Sequence, residues 1–139
     1  MATLGRTIPA LPVRDAAAAA AFYRDRLGFR VLHQEDAFVV LERDGAQVHL
    51  WEADDESWRD RPAEDERPVQ SGAESFIAGT ASCRIEVAGV DDLYEELSAR
   101  AVLHPVSQGG VSETDFGSRE FATLDADGNL ISFFEWGST

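Results

Sequence analysis

AFVVLERDGAQVHLWEA, residues 37–53, places two alternating apolar segments on either side of Asp44-Gly45. A period of two belongs to strands, and Asp-Gly supplies the turn residues of a tight hairpin. With a two-residue turn, Arg43 pairs with Ala46; counting outward, Val40 faces His49 and Phe38 faces Trp51. Val39 with Leu50, and Leu41 with Val48, then lie on the opposite side. That second side is aliphatic and suits packing beneath a helix. The first carries two aromatic rings, an imidazole and a valine, which suits an open face lined for a ligand.

The pattern extends in both directions. RTIPALPV, 6–13, reads as extended, with Pro9 and Pro12 implying an edge or irregular strand. Asp15 can cap the helix that follows, whose alanine run has high propensity and whose Tyr23 and Leu27 share one face. Gly28 is placed to end it, and FRVLHQE is the next strand. The second half repeats the order. SCRIEVAG, 82–89, is a strand, and VDDLYEELSARA, 90–101, is an amphipathic helix with Asp91 as cap and Leu93, Leu97 and Ala101 on the buried side. After an irregular stretch, SREFATL and NLISFFEW form a hairpin around DADG. The expectation is one α+β domain over 1–139, built of two βαβββ repeats (about 5–54 and 81–137) joined by an acidic loop, 55–80. Eight strands and two helices imply curved mixed sheets with helices on the outer face, the other face left for a pocket or an interface.

Charge narrows the function. The chain has 139 residues, 44% of them apolar, and carries 26 acidic against 12 basic residues for a formal net charge of −14. Every basic residue is arginine. A field of that sign repels nucleic acid and attracts cations. Acids cluster in EADDESWRDRPAEDE, 52–66, around Trp58, so Asp54, Asp55 and Trp58 are candidates for the mouth of a site that takes a cationic, partly aromatic ligand. No apolar run is long enough for a membrane span, and the N-terminal stretch lacks the pattern of a secretory signal. Cys83 is the single cysteine, which excludes an internal disulfide and a cysteine-rich zinc site. It falls on the helix side with Ile85 and Val87, a small core residue rather than a nucleophile. The expected location is the cytoplasm.

LPVRDAAAAAAFYRDRLGFRV in the first repeat and SREFATLDADGNLISFFE in the second resemble the vicinal oxygen chelate superfamily, whose paired βαβββ modules include glyoxalases, extradiol dioxygenases and the bleomycin resistance proteins. In its enzymes, His, Glu or Gln side chains from four concave strand positions hold a divalent metal. The resemblance places Ile8, His49, Ser82 and Ser132 at those positions. Isoleucine has no donor atom and serine is a poor ligand for Zn²⁺, Ni²⁺ or Fe²⁺. His33 and His104 lie elsewhere. The expectation is no metal, no cofactor and no catalytic residue.

Losing the ligands while keeping the fold resembles the bleomycin resistance family, acidic cytoplasmic homodimers that sequester the drug in crevices between protomers. The resemblance implies a homodimer whose partner is a bleomycin-like or related antibiotic. Phe38 matches a family pocket aromatic, and Phe116 one that stands just before the REF motif, although Ser118 is an extra residue there. The expected ligand-binding set is Phe38, Val40, His49, Trp51, Asp54, Asp55, Trp58, Ser82, Glu113, Asp115, Phe116, Ser118, Ser132 and Phe134. Two alternatives remain: a metal-dependent glyoxalase- or dioxygenase-like enzyme using His49, Glu42, Glu86 and Glu120, and metal-free chemistry with Glu86 or Glu120 as base.

Overall fold

The computed structural model describes residues 1–53, 71–75 and 77–137. In them the chain forms β1 (Ala10–Val13), α1 (Ala16–Arg26), β2 (Arg30–Gln34), β3 (Phe38–Arg43) and β4 (Ala46–Glu52). The second half forms β5 (Ser82–Glu86), α2 (Val90–Ala99), β6 (Ser112–Glu113), β7 (Ser118–Leu124) and β8 (Leu130–Trp136). The strands make two four-stranded sheets, ordered β1-β4-β3-β2 and β5-β8-β7-β6. Each holds one parallel pair, β1 with β4 and β5 with β8, beside antiparallel ones. This is the two-module α+β architecture that the hairpin pattern predicted.

Asp15 caps α1, its Oδ1 accepting from Ala18 N at 3.0 Å. The alanine run lets the helix settle close to the first sheet, burying Ala16, Ala19, Ala20 and Tyr23. Gly28 takes φ +77°, and a Cβ there would stand 2.8 Å from Arg43 Nη1. The space is used, because Arg43 Nη1 donates to Leu27 O at 2.9 Å and to Glu96 Oε2 on α2 at 2.8 Å.

Two expectations need correction. The first strand begins at Ala10 rather than Arg6. Pro9 has no N–H to donate, and its carbonyl makes the contact to β4 by accepting from His49 N at 3.0 Å. Ile8 therefore lies outside the strand, exposed. The second correction concerns α2. Asp91 does not cap it; Glu135 of β8 accepts from Gly89 N at 3.0 Å and from Val90 N at 3.1 Å. These two N–H donors hold the Glu135 carboxyl below the usual range. Asp91 is drawn instead to Arg119, at 2.7 and 2.9 Å. The helix stops at Ala99, so Ala101, exposed at φ +58°, leaves Val90, Leu93 and Leu97 as its buried residues.

The turn between β7 and β8 joins the modules. Asp125 is buried and accepts from Tyr23 Oη at 2.8 Å and from Asp127 N, Asn129 N and Asn129 Nδ2 at 2.9 Å each. Asn129 Nδ2 also donates to Pro12 O at 2.8 Å. Burial, and after it the Asp125 charge, pushes the Tyr23 hydroxyl well above its ordinary pKa. The carboxylate, amide and phenol thus answer one another. Cys83 packs against the core, and burial pushes its thiol up to about 11, which leaves it a poor nucleophile.

Candidate ligand-binding site

On the first sheet the register is the expected one: Phe38 opposite Trp51, Val39 opposite Leu50, Val40 opposite His49 and Leu41 opposite Val48. Val39, Leu41, Val48 and Leu50 are 0% exposed, so the aliphatic side is the core. Phe38, Val40, His49 and Trp51 stay half-buried on the other side. Phe38 lies 4.5 Å from Trp51 between ring centroids, tilted by 41°, and 5.3 Å from His49 edge-on. Partial burial lowers the His49 pKa from its ordinary 6.5. An Arg30–Glu42 ion pair of 2.7 Å stands towards the outer strand.

The second sheet presents Ser132 and Phe134 by the same alternation, with Ser82 exposed at the start of β5. Phe116, 62% exposed, and Trp136, 54% exposed, extend the surface. Trp136 lies 5.5 Å from Phe134 and 6.3 Å from Phe116. Trp136 was absent from the sequence-based set, although its spacing of two from Phe134 signals the same face. The sequence pattern also omits Arg84 and gives Glu120 only the role of a displaced ligand or a base. They lie 2.6 Å apart here, Nη1 to Oε2.

Other predicted residues separate. Glu113, at the end of β6, and Asp115, in the turn that carries Phe116, are exposed. Ser118 shares the parity of the open face but is buried, its hydroxyl 2.8 Å from Thr114 Oγ1. It braces that turn. Asp54, Asp55 and Trp58 lie outside the described residues. A groove of about 1060 Å³ runs between residues 6–9, the β3–β4 turn, β5 and α2. It shares Arg84 and Phe134 with the aromatic surface but not Phe38, His49 or Trp51. The ring geometry, more than this groove, marks the candidate site.

Residues 5–133 match the model of the Glyoxalase/Bleomycin resistance protein/Dioxygenase superfamily. The chain belongs to that superfamily. It is 50% identical over 130 residues to the bleomycin resistance protein of Geobacillus stearothermophilus, covering 94% of this chain and 96% of that protein. It is similar in structure to the bleomycin-binding protein of bleomycin-producing Streptomyces verticillus, solved with copper(II)-bleomycin, with a TM-score of 0.71 and 26% identity over the whole of both chains. Its fold is equally like that of lactoylglutathione lyase from Agrobacterium tumefaciens, with a TM-score of 0.70 and 20% identity over 94% of this chain and 92% of that one. Likeness of fold does not separate binder from enzyme within the superfamily. Side chains must.

The metal positions of the superfamily's enzymes provide that test. In this member the first, Ile8, precedes its strand, and the register puts Ala10 beside His49 and Arg84 beside Ser132. Neither neighbour can donate to a cation, and an arginine repels one. Of the alternative set, His49 and Glu42 line the first sheet and Glu86 and Glu120 the second. Among the described residues no group of three or more His, Cys, Asp or Glu side chains is placed to hold a metal ion. The donor set does not fit a divalent metal.

Proposed function

We propose that the protein captures a cationic, aromatic antibiotic of the bleomycin type and protects by sequestration, without converting it. The half-buried Phe38–Trp51–His49 surface, set over a fully aliphatic helix side, carries this reading. Planar rings of the ligand stack there, and the net charge of −14 draws the cation in. Identity of 50% with a bleomycin resistance protein supports it further. Two stacking contacts contribute about 1–3 kcal/mol each, and charge-assisted contacts about 1.5–3 kcal/mol each, towards the binding affinity.

The reading includes a homodimer. Among the described residues each sheet leaves one aromatic face uncovered, and Leu32, Phe116 and Trp136 are exposed. Pairing two copies about a two-fold axis covers these rings and makes two equivalent crevices. It also includes the cytoplasm, where capture intercepts a DNA-damaging drug before its target. No helix among the described residues is long and apolar enough to cross a membrane.

Calorimetric titration with bleomycin, metal-free and Cu²⁺-loaded, tests the proposal, with metal content assayed on the same batch. The expected result is saturable binding at sub-micromolar Kd, with the drug recovered intact. Absence of binding, or consumption of a substrate over many turnovers by protein holding a stoichiometric metal, overturns it.

A further inference from the structure

When only open-face rows are counted outward from the hairpin turns, the two sheets differ at the second and the third. The first has Ala10–His49–Val40 where the second has Arg84–Ser132–Ala122, and Pro12–Trp51–Phe38 where the second has Glu86–Phe134–Glu120. An arginine stands in the place of an alanine, and a glutamate in the place of a phenylalanine. Their side chains meet across β8. The Arg84 guanidinium carbon lies 4.7 Å from the Phe134 centroid and 6.0 Å from that of Phe116, with Nη1 2.6 Å from Glu120 Oε2.

A carboxylate beside two aromatic rings is a recognition surface for an organic cation. In this chain the cation on it is the protein's own. The contact to Glu120 is close but lacks hydrogen-bond alignment, and Oε2, though buried, has no hydrogen-bond partner among the described residues. Arg84 is therefore held by charge and stacking, not by a directed bond. Its side chain remains 44% exposed, so it can swing out without unfolding its strand.

We infer that Arg84 is an internal stand-in for the cationic group of the ligand. The free chain fills the Glu120–Phe134–Phe116 subsite with its own guanidinium, and a ligand cation exchanges for it. The inference rests on the capture reading for the identity of the drug. Exchange leaves the charge of the subsite unchanged. It favours a planar, delocalised cation, such as an amidinium or a cationic heteroaromatic ring, over a compact ammonium, because the displaced group is itself planar and stacked. On this account the second face discriminates between ligands while the first supplies stacking area.

The test compares wild type with Arg84→Gln, using benzamidine, its neutral isostere benzamide, and bleomycin as probes in calorimetry. Removing the competing guanidinium tightens benzamidine and bleomycin binding by roughly three- to tenfold, leaves benzamide unchanged, and the gain disappears when Glu120→Gln is added. Weaker or unchanged binding of both cations to Arg84→Gln overturns the inference. If bleomycin binds both proteins equally while benzamidine shows no gain, the inference fails and capture stands. If bleomycin binds neither while benzamidine shows the gain, capture fails and the inference stands. Should Arg84→Gln not fold, ¹⁵N-arginine spectra of wild type decide. Saturation with benzamidine must move the Arg84 Nε–H signal and speed its exchange with water; an unmoved signal overturns the exchange.

Discussion

At the junction of the two modules, Asp125 and Asn129 are buried and their bonds reach Tyr23 and Pro12 of the first module. On the open face of β3 and β4, Phe38 and Trp51 keep a half-buried surface and ring contacts to each other and to His49. The junction directs its polar groups at one another and so resists change. The face leaves large rings uncovered at a cost in apolar exposure. On the proposed function, stability and ligand contact fall to different residues, the first to the β7–β8 turn and the second to the open face. If the division is real, substitutions in one region leave the property of the other nearly untouched.

The strongest way to break the comparison is Asp125→Ala. It leaves the Tyr23 hydroxyl and the Asn129 amide inside the protein without their carboxylate partner. The expected loss is about 3–5 kcal/mol of unfolding free energy, read from denaturant titration. Tyr23→Phe removes one donor and leaves the three N–H donors to Asp125, so its cost is about 1–2 kcal/mol. A loss below about 1 kcal/mol for Asp125→Ala means that the turn does not hold the modules together.

Trp51→Ala sharpens it from the other side. Loss of one stacking surface weakens bleomycin binding by about 1–3 kcal/mol, roughly 5- to 150-fold, while stability changes by less than about 1 kcal/mol. Core aromatics behave in the opposite way, costing about 3–5 kcal/mol of stability on truncation to alanine. Measuring both quantities on one variant decides which kind of residue Trp51 is. Phe134→Ala gives a smaller binding loss than Trp51→Ala, because the ligand's stacking on that ring replaces stacking that Arg84 already makes in the free chain.

The first sheet was legible in the sequence because its hairpin has a two-residue turn. Asp44-Gly45 fixes the register, and the register fixes which of Phe38, Val39, Val40 and Leu41 face the core. The second was less so. Its turn is longer, and the side chains that define its face, Arg84 on β5 and Glu120 on β7, are 36 positions apart in sequence and meet only because β8 lies between them. No local pattern marks such a pair. The α2 cap failed for the same reason: Asp91 is a fitting cap by position, but Glu135 from β8 already satisfies the N–H groups of Gly89 and Val90. Periodicity is a local signal, whereas caps and ion pairs are settled by which distant strand lies beside them.

His49 yields the smallest effect and tests how far the open face is covered. Its folded pKa lies below the 6.5 of a free imidazole because burial disfavours the charged form. As pH falls through about 6.5 the unfolded chain takes up a proton that the folded chain still refuses. Stability therefore falls with pH in that window; the contribution is fully present above 6.5 and is lost as pH drops through the folded value. Glu135, held below its ordinary range by two backbone N–H groups, loses its own contribution only at lower pH, below about 4.5, so the two windows separate. His49→Gln keeps a polar side chain and removes only the upper component. Unfolding free energies from about pH 7.5 to 5 should accordingly be flatter in the variant than in wild type. A ligand lying over Phe38 and Trp51 buries the imidazole further and lowers its pKa again, so the difference between the curves should grow with saturating bleomycin. Curves that stay parallel with and without the drug would place the ligand away from this face, while leaving the assignment of stability to the module junction intact.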